Sequence, residues 1–157
     1  MRCVRLLACL ALLSLVACGQ LHHVFPPAVN IDQLNAPPQG DWTVTLRLHN
    51  QSYDANVRFD KVQLDLSLAE VAAGSLSQQI DIDVAERDSD IARISFSPSA
   101  AARDKLKRMT ASGGSGQLQY TIKGSATISD EGKHAKDFDI EHTAWLSPVP
   151  GVPHRYR

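Results

Sequence analysis

Cysteine is missing from the chain beyond position 18. Cys3, Cys9 and Cys18 all lie within the first eighteen residues. Neither a disulfide nor a thiolate metal site can therefore hold the rest together. A dominant charge sign is also missing, since 16 Lys and Arg face 17 Asp and Glu for a formal net charge of −1. That balance excludes a strongly basic nucleic-acid binder, and an apolar content of 43% excludes a disordered acidic chain. Aromatics are sparse at 6%, yet with eight prolines they suit a globular domain better than a low-complexity one. The longest apolar run, Leu6 to Val16, covers about eleven residues, too few to cross a bilayer.

That run does fit the apolar core of an export signal. Arg2 and Arg5 precede it as a short positive segment, and Leu15-Val16-Ala17-Cys18 closes it. The closing tetrapeptide resembles the bacterial lipobox, where cleavage before cysteine leaves a thiol to accept diacylglycerol. The alternative is an ordinary secretory signal cut after Ala17, which would leave Cys18 as a lone thiol in an oxidising compartment. On the lipobox reading, residues 1–17 are signal and 18–23 are lipidated cysteine plus tether. A domain fills 24–147, and 148–157 form a Pro-rich tail. Without the signal the chain carries fourteen basic and seventeen acidic side chains, a net charge of −3. Gly19 after the cysteine resembles the outer-membrane default rather than an inner-membrane retention signal. The expected location is therefore the periplasmic face of the outer membrane. From Gly19 to Val24 the tether reaches roughly 20 Å when fully extended.

The remainder alternates between apolar and polar with a period of two. Trp42 to His49, Val62 to Leu68, Ile80 to Val84, Leu118 to Ile128 and Phe138 to Leu146 each place apolar residues on one face. Ile91 to Phe96 adds a short strand, and Val24 to Leu34 reads as a Pro-containing edge strand. Phe59 and Val62 are out of phase, which predicts a bulge near Asp60-Lys61. One stretch has helical spacing: Ala102, Leu106 and Met109 follow Ser97-Pro98, read as a cap with Pro at the first helical position. Seven antiparallel strands and one short helix predict an all-β, immunoglobulin-like sandwich.

No set of residues converges on catalysis. Gly113-Gly114-Ser115-Gly116-Gln117 lacks the final glycine of a nucleophile elbow and the strand-to-helix context it requires. Asp81, Asp83, Glu86, Asp88 and Asp90 lack the glycine and closing glutamate of a calcium loop, and read as a solvated face. Asp137, Asp139 and Glu141 read the same way, with a further role in keeping an edge strand from self-pairing. The six histidines show no metal-ligand spacing. His142, in the apolar phase of its strand, reads as a core-edge residue with a hydrogen-bonding partner. No metal, cofactor or enzymatic activity is expected. Three features are candidates for contact. Cys18 would carry the lipid. Arg103, Lys105, Lys107 and Arg108 make a basic helix face that could meet lipid headgroups, although an ordinary solvated face is the plainer reading. Trp145 lies in the polar phase of its strand beside the Pro148–Pro153 segment. Exposed, it would offer a partner patch; alternatively the tail folds back over its ring.

Three stretches carry a family likeness: Pro27-Ala28-Val29-Asn30-Ile31, Leu46-Arg47-Leu48-His49-Asn50-Gln51-Ser52, and Gly116 to Ala126 with Gly124 in mid-strand. In their order they resemble the late embryogenesis abundant (LEA) type 2 family, also called the water stress and hypersensitive response (WHy) domain. The likeness spans about Val24 to Ser147, with Asn50-Gln51-Ser52 standing where the family has Asn-Pro-Asn. It implies a sandwich without an enzymatic site, in proteins associated with desiccation and stress tolerance. The resulting expectation is a lipid-anchored envelope protein with a protective role. The alternative is an accessory binding module of an envelope complex, using a sheet face or an edge strand.

Overall fold

A computed structural model describes residues 24–111, 116–130 and 134–157. Eight strands and one helix are formed among them. They run β1 (Ala28–Asn35), β2 (Trp42–His49), β3 (Val57–Leu68), β4 (Val71–Val84), β5 (Ser89–Phe96), α1 (Ala100–Ala111), β6 (Leu118–Asp130), β7 (His134–Leu146) and β8 (Arg155–Tyr156). They build two four-stranded sheets, ordered β5-β2-β1-β8 and β4-β3-β6-β7, with every pairing antiparallel. The all-β sandwich expected from the alternation is what the chain forms.

The buried members of each alternating run meet between the sheets. Val44, Leu46 and Leu48 of β2 face Phe59, Val62, Leu64, Leu66 and Leu68 of β3, together with Tyr120 and Ile122 of β6. The bulge predicted near Asp60-Lys61 is present, because β3 shifts register between Phe59 and Lys61 against both neighbours. The extra residue lets Phe59 and Val62 both point inward although they are three positions apart. Trp42 is buried, donates Nε1–H to the Pro37 carbonyl at 3.0 Å and meets Phe96 edge-on.

Four details differ from expectation. Residues 71–79, which gave no clear pattern, belong to a 14-residue β4, joined to β3 by a tight turn with positive φ at Ala69 and Glu70. That turn type favours Asn and Gly, so Ala-Glu gave no signal. Second, β1 begins after Pro26 and Pro27 and is an interior strand, paired with β2 throughout and with β8 at Leu34 and Asn35. Third, the helix cap is Ser99, not Ser97. Its Oγ accepts the Ala102 N–H at 3.1 Å and donates to the Ala72 carbonyl at 2.7 Å, which fixes the helix on β4 as it begins. Fourth, residues 148–157 are part of the domain. Ser147 and Arg157 exchange backbone hydrogen bonds, and Tyr156 is buried against the helix end of the sandwich.

Mid-strand Gly124 lies opposite Leu64, where a Cβ would come 2.1 Å from the Gln63 carbonyl oxygen. Only glycine permits so close an approach of β6 to β3.

Candidate functional site

The two ends of the sandwich differ in chemistry. At the end where the described chain begins, β2 runs into the Asn50–Asn56 loop. Asn50 is buried there, and its Nδ2 donates to the carbonyls of Ala55, Ala85 and Val84 at 2.8, 3.0 and 3.2 Å. Its Oδ1 accepts the Ser52 N–H at 2.9 Å. Ser52, equally buried, takes the Phe25 N–H on its Oγ and the Arg87 N–H on its carbonyl. Two polar side chains thereby tie the β2–β3 loop, the β4–β5 loop and the start of the described chain into one unit. Phe25, Tyr53 and Arg87 stand on this base. The two rings meet edge-on at 5.7 Å, the Arg87 guanidinium lies 4.5 Å from the Tyr53 ring centroid, and with His49 and Gln51 they line a shallow cavity of about 340 Å³.

The opposite end holds α1 and the C-terminal segment. Ala102 and Leu106 seat the helix in the core. Arg103 reaches across the β1–β2 connection, donating to the Gly40 and Pro38 carbonyls at 2.6 and 3.4 Å, with its guanidinium 5.9 Å from the Trp42 ring centroid. Two adjoining cavities of about 440 and 380 Å³ flank the helix and share Leu106, Thr110, His154 and Tyr156. Burial raises the Tyr156 hydroxyl above its usual pKa.

This geometry corrects one sequence expectation. The four basic helix residues are not a uniform face, because Arg103 is committed to the Gly40 turn and stacks over Trp42. Lys105 is half-buried, while Lys107 and Arg108 are exposed. The helix also sits at the far end of the sandwich from Val24, separated by the eight residues of β2, about 25 Å. It points away from the end at which a tether would join.

Trp145 is exposed at 57%. The C-terminal segment does fold back, but it leaves this ring open. Trp145 faces outward on β7, opposite Gln119, and β7 is the end strand of its sheet. Along the same face Thr121 and Thr143 share a 2.8 Å hydrogen bond, Thr127 donates to Asp137 at 2.6 Å, and Lys123 lies 3.5 Å from Glu141.

Two acidic residues of β4 and one of β3 surround a cation of the protein itself. Arg58 lies 3.3, 3.4 and 3.5 Å from Asp81, Asp83 and Asp60, and no cluster of potential metal ligands occurs among the described residues. His142 is half-buried with its ring centroid 5.9 Å from that of Tyr120, so it packs on an aromatic neighbour. Tyr120 in turn links the sheets. Its hydroxyl, in the second sheet, accepts the Ile31 N–H of the first at 3.1 Å. Burial raises its pKa, partly opposed by that hydrogen bond. Cys18, His22, His23, the Gly113-Gly114-Ser115 segment and Glu131-Gly132 lie outside the described residues.

The fold places the chain among antiparallel β-sandwich proteins. No protein-family model matches it, and no curated protein does. Among solved structures it is similar to AT1g01470 from Arabidopsis thaliana, known from a solution structure. That match has a TM-score of 0.56 and 8% identity, and covers 88% of this chain and 93% of the other. It is also similar to a protein from Archaeoglobus fulgidus, with a TM-score of 0.48, 8% identity and coverage of 81% and 98%. At such identity the first likeness concerns the fold alone.

Proposed function

We propose that the chain is a non-enzymatic, lipid-anchored protein of the bacterial envelope, of the LEA type 2 or WHy kind, with a protective role in desiccation or related stress. On this reading Cys18 carries the lipid and the domain stands on the periplasmic face of the outer membrane. The observation that carries it is the use made of the buried polar side chains. Asn50, Ser52 and the Tyr120 hydroxyl are each bonded to the fold's own backbone and so serve the structure rather than a cleft, while the buried Ser129 Oγ and Asp130 Oδ1 have no partner among the described residues. The lipobox-like Leu15-Val16-Ala17-Cys18 supports the anchor, and the three stretches quoted above support the family resemblance.

A second reading, an accessory module of an envelope complex, is favoured by Trp145. An exposed tryptophan on a strand that ends its sheet among the described residues suits capture of a partner segment. The two readings separate in one experiment. The protein is recovered from native membranes beside a Cys18→Ala form, and each is dried with a labile test enzyme. Protection of the enzyme with no stoichiometric partner supports the protective role; a stoichiometric partner lost in Trp145→Ala overturns it in favour of the module.

A further inference from the structure

The end of the sandwich built on Asn50 and Ser52 presents two aromatic rings and a guanidinium beside the point where the described chain begins. Phe25 and Tyr53 are 40% and 62% exposed, two of the five large apolar side chains that stand open among the described residues. They are not on a floppy tip. The Phe25 backbone is held by Ser52, the two rings brace each other, and Arg87 covers one side of Tyr53. Val24, immediately before them, packs against the core, so no slack remains between this end and the tether. From Gly19 to Val24 the chain spans at most roughly 20 Å.

We infer that this end is the membrane seat of the domain: Phe25 and Tyr53 lie in the phospholipid interface, with Arg87 at the level of the headgroups. The inference rests on the proposed lipidation of Cys18 and goes beyond it by fixing which face meets the bilayer. A short tether brings this end to the surface first, and Phe and Tyr on a rigid base suit the boundary between headgroups and acyl chains. Arg87 reaches phosphate from beside the rings. In the chain Asp54 follows Tyr53, and Glu86 and Asp88 flank Arg87, so net charge does not draw this end to an anionic surface. The contact is aromatic, and raised salt leaves it intact. The basic helix is then held clear of the membrane by the length of β2, and Trp145, at the same far end, faces the periplasm.

The native tryptophans allow a direct test, because Trp42 begins β2 and Trp145 closes β7, both at the end away from Val24. The lipidated protein, beginning at Cys18, is reconstituted into phosphatidylcholine vesicles brominated near the headgroup end of the acyl chains. Tryptophan emission is compared with that in unbrominated vesicles for wild type, Tyr53→Trp and, as a second reporter, Phe25→Trp. The added tryptophan of either variant should lose about half its emission in brominated lipid, with or without high salt, while wild type is unchanged. Unquenched reporters in protein that floats with the vesicles overturn the seat while leaving the anchor standing. Quenching of wild type also overturns it, because the helix end would then face the lipid. Failure of wild type to float overturns the anchor itself, and the seat with it.

Discussion

Asn50 is the residue whose loss bears most directly on the architecture of the membrane-side end. The side chain is 1% exposed, and its two N–H groups serve three carbonyls while its oxygen takes the Ser52 N–H. Asn50→Ala removes two donors and one acceptor from a buried site. At about 1 kcal/mol net per hydrogen bond, with part of the desolvation cost of the orphaned groups added, the loss comes to about 3–4 kcal/mol. Asn50→Asp is the sharper variant. It keeps the shape and the acceptor for Ser52 but turns a carboxylate oxygen toward three carbonyls, and should cost at least as much. Asn56→Ala, in the same loop, serves as control, since its exposed Oδ1 accepts only the Glu86 N–H at 3.3 Å and its loss should cost under about 0.5 kcal/mol. Urea unfolding followed by circular dichroism reads all three, with the slope held fixed so that midpoints report stability. An Asn50→Asp protein within about 0.5 kcal/mol of wild type would refute the claim that hydrogen bonding, rather than shape, holds these loops.

Other positions give independent checks. Gly124→Ala should cost at least about 3 kcal/mol, or prevent folding, because its Cβ would lie 2.1 Å from the Gln63 carbonyl oxygen; thermal unfolding reads it. Tyr156→Ala should cost about 3 kcal/mol by emptying a buried aromatic site, and an unchanged melting temperature would show that the C-terminal segment is an appendage after all. Tyr120 and Tyr156 both have hydroxyl pKa values raised by burial above the ordinary value of 10.0. The folded state then holds these protons more tightly than the unfolded chain. Their contribution to stability is complete below pH 10 and declines as pH climbs from there through the raised folded values. Urea midpoints measured from neutral to strongly alkaline pH should show that decline, and the Tyr120→Phe, Tyr156→Phe double variant should flatten it.

Where hydrophobic phase alone decides the outcome, the fold was legible in the sequence. Leu64, Leu66 and Leu68 alternate as a half-buried strand must, and the broken phase between Phe59 and Val62 was enough to locate a bulge. Trp42 in the core and Trp145 outside followed from the same parity. Legibility failed where geometry departs from composition. The Ala69-Glu70 turn uses positive φ at residues that rarely adopt it, so the hairpin of β3 and β4 was invisible and most of β4 went unread. Ser99 rather than Ser97 caps the helix because the choice depends on the Ala72 carbonyl, 27 positions away. Arg103 looked like one of four surface cations, and only the fold brings it to the Gly40 carbonyl, 63 positions distant. The Asn50 and Ser52 hub was legible as a turn but not as a junction, since two of its acceptors lie at the last residue of β4 and the first of the β4–β5 connection.

The proposal as a whole depends on what happens at Cys18, and intact mass spectrometry of the protein taken from the membrane fraction tests it most directly. The recovered chain should begin at Cys18 and carry the added mass of a diacylglyceryl group with acyl chains. Cys18→Ala should be released from the membrane. A chain recovered in the soluble fraction with a free Cys18 thiol would contradict the proposal.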